Sequence, residues 1–500
     1  MLQLLTSKQT RLADAYTISS KQISSLQLME RASEAFTDAF EEEISDKNTK
    51  ISFYCGTGNN GGDGLAIARI LKKRGFENIS VRIARFQKSE SPDFVSNLRR
   101  LKDTKIPVTD ILGNDSIPYE EADVIVDALL GSGLNKPLEG DLEQLVVHIN
   151  QLHRTVIAVD IPTGLPAEGK IDTKSAMVKA SLCISFQRPK INFFFPESEL
   201  VLDRFKVVGI GLDEEFIQSQ AGPWKLIEER DIRQGIKPRK VFSHKGSFGH
   251  ALIVAGGKNT LGAALLCADA CLHSGAGLTS ASTPADGLTA LNTYVPEVMF
   301  LDRKELLNSA ISNKYSSIAI GPGLGSDQQS LEVLKHILEH SGCPMVIDAD
   351  GLNILASNPE LLTKLPSNCI LTPHVKEFDR LFGKSECWWD RINLAIKKAQ
   401  ELDVVIVLKN RYTFIFCTQG NIFINPTGNP AMAVGGTGDV LTGMISAFQA
   451  QGYNAEEASI LAIYLHGAAG DSLKEMNSIP PRYIIEKLPF LIGSLSASRS

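Results

Sequence analysis

Gly428-Asn429-Pro430-Ala431-Met432-Ala433-Val434-Gly435-Gly436-Thr437-Gly438-Asp439-Val440-Leu441-Thr442-Gly443 sets the expected fold of the chain's C-terminal half. Three glycines and a threonine lead into an apolar, helix-like run, Val440 to Ala450. Glycines let the backbone turn tightly and aim several N–H groups at one place. A helix start adds its positive dipole end, so an anion, usually phosphate, is favoured there. Asp439 has the wrong charge for such a cradle unless it works as a base on an attacking hydroxyl. The competing reading is a plain helix cap, for which Asp is well suited. The coincidence of loop, carboxylate and helix favours chemistry.

Working outward, the N-terminal half carries a second anion site. Ile51 to Cys55 reads as a short buried strand, followed by Gly56-Thr57-Gly58-Asn59-Asn60-Gly61-Gly62-Asp63-Gly64, read as a loop. Leu65 to Arg74 then has helical spacing. The loop is neither a strict G-x-G-x-x-G fingerprint nor a P-loop, since no G-K-[ST] follows. Its paired asparagines can offer side-chain carbonyls to a cation while their amides donate.

Two further apolar runs end in Asp and then a glycine turn. Val124-Ile125-Val126-Asp127 precedes Gly131-Ser132-Gly133-Leu134, and Val156-Ile157-Ala158-Val159-Asp160 precedes Ile161-Pro162-Thr163-Gly164. In a parallel sheet both carboxylates fall at the same edge as the Asn-rich loop, which points to one shared site. Taken singly, either Asp is equally a turn residue or a helix cap.

Strands alternate with helical stretches in both halves, so each half is expected to be an α/β layer sandwich. The polar, turn-rich Gln218 to Trp224 lies between an apolar strand, Phe205 to Ile210, and the basic approach to Lys245. The expected domains are 1–217 and 226–500. Five hundred residues with 43% hydrophobic content supply ample core for two domains. A net charge of −6 without basic runs argues against nucleic acid as main partner. Eight cysteines show no C-x-x-C. Cys267 and Cys271 read as buried free thiols on an apolar helix, which fits a reducing cytoplasm. No run reaches membrane length, so a soluble cytoplasmic protein is expected. The tail from Ser494 to Ser500 is expected to fray.

The loop around Asp439 resembles that of ribokinase-like small-molecule kinases, and more closely that of the carbohydrate-kinase-related NAD(P)H-hydrate dehydratases. Ile318 to Gly325, Lys245 to Gly257, Gly262-Ala263-Ala264 and His273 to Gly277 match the same family, covering about 240 to 470. From Leu28-Met29-Glu30-Arg31-Ala32 to about residue 200, the other half looks like an NAD(P)HX epimerase domain, Rossmann-like in fold. Together they are similar to the bifunctional enzymes that repair hydrated NADH and NADPH (NAD(P)HX).

The resemblance implies roles by position. In the C-terminal half Asp439 would take the ring hydroxyl's proton as its oxygen attacks the terminal phosphoryl of ADP, with ATP the other candidate. Gly436 and Gly438 would hold the developing charge. Lys409-Asn410-Arg411-Tyr412-Thr413 would bind the nucleotide, with Asn410 standing where relatives have glycine. Ala263, Gly325 and His374 would contact NAD(P)HX, and Glu377 would act on Mg2+ through water. Relatives have Pro-Gly where Val375-Lys376 stands. In the N-terminal half Asp160 would be the acid–base group. Asn60, Asp127 and Thr163 would hold K+. Asn59, Asn60, Gly61, Gly62 and Asp63, with Gly131, Ser132, Gly133, Leu134, Asn135, Lys136 and Pro137, would line the dinucleotide. A homo-oligomer is expected. The rivals are a small-molecule kinase and, for the N-terminal half, a binding module such as the similar domain of an mRNA-decapping scaffold.

Overall fold

The computed structural model describes residues 1–86, 89–113, 117, 119–134, 136–308, 311 and 314–496. Its strands, in chain order, are β1 (Leu2–Gln3), β2 (Ile51–Cys55), β3 (Ile79–Ala84), β4 (Val108–Ile111), β5 (Val124–Ala128), β6 (Thr155–Val159), β7 (Leu182–Phe186) and β8 (Phe205–Val208). There follow β9 (Trp224–Leu226), β10 (His250–Val254), β11 (Leu278–Thr283), β12 (Met299–Asp302), β13 (Ser317–Ile320), β14 (Met345–Ile347), β15 (Cys369–Leu371), β16 (Val404–Leu408), β17 (Thr413–Phe416) and β18 (Ile422–Asn425). They form two sheets in two compact units, one made of Gln3–Gly222 with Cys387–Trp389, the other of Met1–Leu2, Pro223–Glu386 and the chain from Asp390 onward.

The N-terminal unit holds the seven-stranded sheet, ordered β4-β3-β2-β5-β6-β7-β8, with all six pairings parallel. Helices cover both faces of such a sheet, which is why β2 and β5 are buried at every residue. The strand order reverses between β2 and β5, and at such a reversal the loops diverge and leave a crevice. The helix after β2 starts at Asn59, not near Leu65, and runs to Lys73. The Asn-rich segment read as a loop is therefore mostly the first turns of a helix. Its glycines serve close packing: a Cβ on Gly64 would stand 2.5 Å from the Ala128 Cβ, and one on Gly61 1.8 Å from the Gly56 carbonyl oxygen.

The C-terminal unit holds the eleven-stranded sheet, ordered β1-β9-β18-β17-β16-β15-β14-β13-β10-β11-β12. Strands β10 to β16 pair in parallel, while β17 and β18 return antiparallel. Here the reversal lies between β10 and β13. The helix Thr437–Ala450 packs on the helix Leu261–His273, and Gly443 permits the contact, since a Cβ there would meet the Cys267 carbonyl oxygen at 2.0 Å. Cys267 and Cys271 are fully buried in that interface. All eight cysteines are free thiols. The C-terminal helix, Pro481–Ser496, includes Ser494 to Ser496, which were expected to fray. Among the described residues no helix is long and apolar enough to cross a membrane.

Candidate active sites

In the N-terminal unit the site builds from the carboxyl ends of β2, β5 and β6. Asp127, one residue before the end of β5, is wholly buried and accepts hydrogen bonds from the Leu129 and Thr163 amides at 3.2 and 2.7 Å and from the Thr163 hydroxyl at 2.7 Å. Burial pushes its carboxyl up to about 6 against those donors. Asn60 is 7% exposed and its Nδ2 has no partner, so one end of its amide is free for a ligand. Asn60 packs on Gly131, where a Cβ would come within 3.3 Å. Asn59 is exposed, and Gly61 and Gly62 are buried behind it.

Asp160 follows β6 directly, at φ +65°. That left-handed conformation is costly for a non-glycine residue. It accepts from the Lys190 ammonium at 2.6 Å and the Phe186 amide at 3.0 Å. Lys190 and Asp14, neither marked in the sequence reading, complete the group. Asp14 is pushed up to about 6 by burial, then by Asp160, with Lys190 opposing. Asp63 is pushed well up, by burial first and then by Asp160, Asp14 and Asp93. Ser132, Gly133, Leu134, Lys136 and Pro137 line a cavity of 420 Å³ with Ser7, Arg11 and the segment after Gly164. Asn135 lies outside the described residues.

In the C-terminal unit Gly436 caps the helix of Asp439 at φ +96° and, being glycine, offers no side-chain bond to the first-turn amides. Its first-turn N–H groups therefore point outward for an anion. Gly435 faces open space. Asp439 is pushed up to about 7, first by burial, then by Asp348, with Lys409 opposing and Asp350 adding. Asp348 is 1% exposed and accepts from Lys409 Nζ and from the Thr442 hydroxyl, each at 2.7 Å. The Lys409 ammonium passes beneath Gly438, where a Cβ would be 3.6 Å from it.

The segment 409–413 forms the turn joining β16 and β17 and the first residue of β17, with Asn410 and Arg411 exposed. Asn410 is not among the described non-glycine residues at positive φ, so its backbone does not require the glycine found in relatives. His374 and Glu377 cap the helix Val375–Phe382 reciprocally: the Glu377 amide donates to His374 Nδ1 at 3.1 Å, and the His374 amide donates to Glu377 Oε2 at 2.9 Å. Half of the His374 side chain stays exposed, while Glu377 is buried. Gly325 donates its amide to Asp350 at 2.8 Å, and Ala263 abuts Gly323 at the reversal between β10 and β13. His466 lies in the helix Ala455–Asp471, and burial pushes its imidazole down to about 4.

A carboxylate at a glycine-entered helix start, on a largely parallel sheet with a strand-order reversal, is an arrangement found in two-layered enzymes that handle phosphoryl groups. The comparisons agree. Residues 251–490 match the NAD(P)H-hydrate dehydratase family model, and 25–192 match the YjeF-related protein N-terminus. A bifunctional NAD(P)H-hydrate repair enzyme of Moorella thermoacetica is 32% identical over 99% of this chain and 97% of its own length. That of Escherichia coli is 32% identical over 89% and 85%. A Bacillus subtilis ADP/ATP-dependent NAD(P)H-hydrate dehydratase, co-crystallised with ATP/Mg2+, is 31% identical with a TM-score of 0.50, over 54% of this chain and 98% of that one. A ribokinase-like protein of Enterococcus faecalis is 30% identical with a TM-score of 0.51, over 55% and 98%. The chain belongs to the bifunctional NAD(P)H-hydrate repair enzymes, with an epimerase half followed by a dehydratase half. The kinase and binding-module alternatives fall with that assignment.

Proposed function

We propose that residues 226–500 dehydrate (S)-NAD(P)HX with ADP as co-substrate, ATP being the alternative, and that residues 1–217 interconvert the R and S forms. The observation that carries this is Asp439, pushed up to about 7 at the open, glycine-entered start of its helix. A carboxylate of that basicity takes a proton from the ring hydroxyl near neutral pH. The hydroxyl oxygen then bonds the terminal phosphorus as the bridging P–O bond breaks, and the Gly436 and Gly438 amides face the oxygens that gain charge. The ring nitrogen's lone pair next expels phosphate, a far better leaving group than hydroxide, and loss of the adjacent proton regenerates the reduced ring. AMP and phosphate leave. Residues 409–413 hold the nucleotide, and Ala263, Gly325 and His374 hold the hydrated dinucleotide.

Two cations fit the donors present. Glu377 caps its helix through Oε2, and its Oε1 lies 3.5 Å from His374 Nε2. One carboxylate acting through water, with phosphates as the other ligands, suits Mg2+, whose charge would offset that of the phosphates. Asn60, Asp127 and Thr163 offer oxygen only, which suits K+ and would fix the loops around the epimerase crevice. There Asp160, held by Lys190, is the acid–base group, and residues 59–63 and 131–137 line the dinucleotide. The same reading carries a homo-oligomer and a cytoplasmic site of action, the latter supported by eight free thiols.

The test mixes the full chain with (R)- and (S)-NADHX, Mg2+, K+ and ADP, and follows NADH absorbance. Recovery of both epimers is expected. Recovery of the S fraction alone would remove the epimerase assignment, and none with ADP or ATP would remove the dehydratase assignment.

A further inference from the structure

The helix Ser7–Ser20 lies before the residues matched by the YjeF-related model, yet it forms part of the wall of the 420 Å³ cavity. Its first turn is pinned there. The Ser7 amide donates to both Glu168 carboxylate oxygens, at 3.0 and 3.1 Å, and the Ser7 hydroxyl donates to Oε2 at 2.8 Å. Arg11 stands four residues on, on the same helix face, and lines the cavity with Lys136 and Lys170. Arg11 Nε donates to the Ser7 carbonyl at 3.2 Å. Among the described residues, its Nη groups and the Lys136 ammonium have no hydrogen-bond or ion-pair partner. The carboxylates of the lining are already engaged: Glu168 holds Ser7, and Asp172 accepts from the Lys174 amide at 3.0 Å and the Ser175 hydroxyl at 2.7 Å. Gly164, also in the lining, follows Thr163, whose hydroxyl bonds Asp127, so the cavity adjoins the epimerase crevice. Neither Asp160 nor Lys190 lines it, so it suits a part of the substrate remote from the reacting ring. Its volume lies within the range of small-molecule sites, and cations without protein partners recognise phosphate oxygens.

We propose that Arg11 and Lys136 form a phosphate subsite of the epimerase half, holding a phosphate group of the hydrated dinucleotide while its ring lies at Asp160. The inference rests on the reading, given above, that residues 131–137 line the dinucleotide. The substrate carries two sources of that chemistry: the pyrophosphate bridge, common to NADHX and NADPHX, and the 2′-phosphate, which NADPHX alone has. Arg11 brings a planar fork of N–H donors and Lys136 a compact charge, a pairing suited to phosphate oxygens. The helix outside the family-matched residues thus contributes a substrate contact, and its hold on Glu168 fixes where that contact stands. No bond is made or broken at this subsite.

The test uses the full chain with K+, Mg2+ and ADP and compares (R)-NADHX with (R)-NADPHX, the S forms serving as controls for the dehydratase half. Arg11→Gln is expected to raise KM for an R form at least about fivefold, the scale of a lost charged hydrogen bond, with kcat within about twofold and use of the S forms unchanged. Lys136→Gln is expected to act in the same direction, and Arg11→Lys, which keeps the charge, to recover most of the loss. A rise confined to NADPHX assigns the subsite to the 2′-phosphate, and an equal rise for both dinucleotides assigns it to the pyrophosphate. An Arg11→Gln variant with KM within about twofold of the parent for both R forms, or an Arg11→Lys variant as weak as Arg11→Gln, overturns the proposal. The two readings fail differently: a parent that cannot use either R form removes the epimerase reading itself, whereas a parent that uses both and is matched by Arg11→Gln removes only the subsite.

Discussion

Lys409 Nζ stands 2.7 Å from Asp348 Oδ1, and the Thr442 hydroxyl occupies the other oxygen of that buried carboxylate at 2.7 Å. The lysine is thereby held to Asp348 while Asp439, which also feels both groups, keeps its proton until about neutral pH. A lysine paired with Asp439 instead would make that carboxylate a poorer base.

Asp348→Asn is therefore expected to shift the acid limb of dehydration to lower pH by about one unit, with a fall in the plateau rate. Removing the neighbouring negative charge eases ionisation of Asp439, and the freed ammonium can approach it. Thr442→Val keeps both charges and is expected to leave the limb in place. Rates of S-form dehydration between pH 5 and 9 decide it: a limb that does not move in Asp348→Asn removes the coupling.

Asp439 itself should trade stability for activity. Its folded value, about 7, lies above the ordinary 3.8. Between those values the folded chain holds a proton that the unfolded chain has released, so stability falls as pH rises through the window. Asp439→Asn removes the charge that costs this stability. The variant is expected to be inactive in dehydration yet more stable by about 1–3 kcal/mol at pH 8, with no gain near pH 4. Thermal unfolding at both pH values checks the sign, and a variant less stable at pH 8 contradicts it.

Asp127 and Asp160 were legible because apolar runs end at them, and the Asp439 loop because glycines precede a helix. Met345-Val346-Ile347-Asp348 carries the same strand-then-Asp signal, so Asp348 was within reach of the rule that found the other two. Asp14 and Lys190 were not. One sits in a polar helix and the other in a coil after β7, and only the folded chain brings them to Asp160. The early helix start at Asn59 escaped because glycine and asparagine are weak helix formers. Packing against β2 and β5 overrides that preference.

Gly443 tests helix packing in the dehydratase half. In an exposed helix, Gly→Ala gains up to about 1 kcal/mol from propensity. Here the added Cβ would meet the Cys267 carbonyl oxygen at 2.0 Å and its carbon at 2.9 Å, both backbone atoms that cannot swing aside. Overpacking of this kind costs about 1–3 kcal/mol or more, so the clash prevails. Gly443→Ala is expected to lower the Tm of the C-terminal unit. An unchanged or higher Tm would mean the two helices separate more easily than their contact implies.

Thr163 and Asp127 offer the sharpest test of the cation reading. The Thr163 hydroxyl donates to Asp127 at 2.7 Å and accepts from the Leu130 amide at 3.0 Å, so it ties the ends of β5 and β6 together. Thr163→Val keeps the shape and removes the oxygen. It leaves the Leu130 amide unpaired and Asp127 with one donor fewer, a loss of about 1–3 kcal/mol. Thr163→Ser retains both bonds and should unfold like the parent. Exchange of K+ for Na+ at constant ionic strength is expected to slow epimerisation in the parent and in Thr163→Ser, with dehydration of the S form unchanged. In Thr163→Val the rate should already be low and indifferent to the exchange. A parent enzyme indifferent to the exchange would remove K+ from this site and leave Thr163 and Asp127 as a structural clasp.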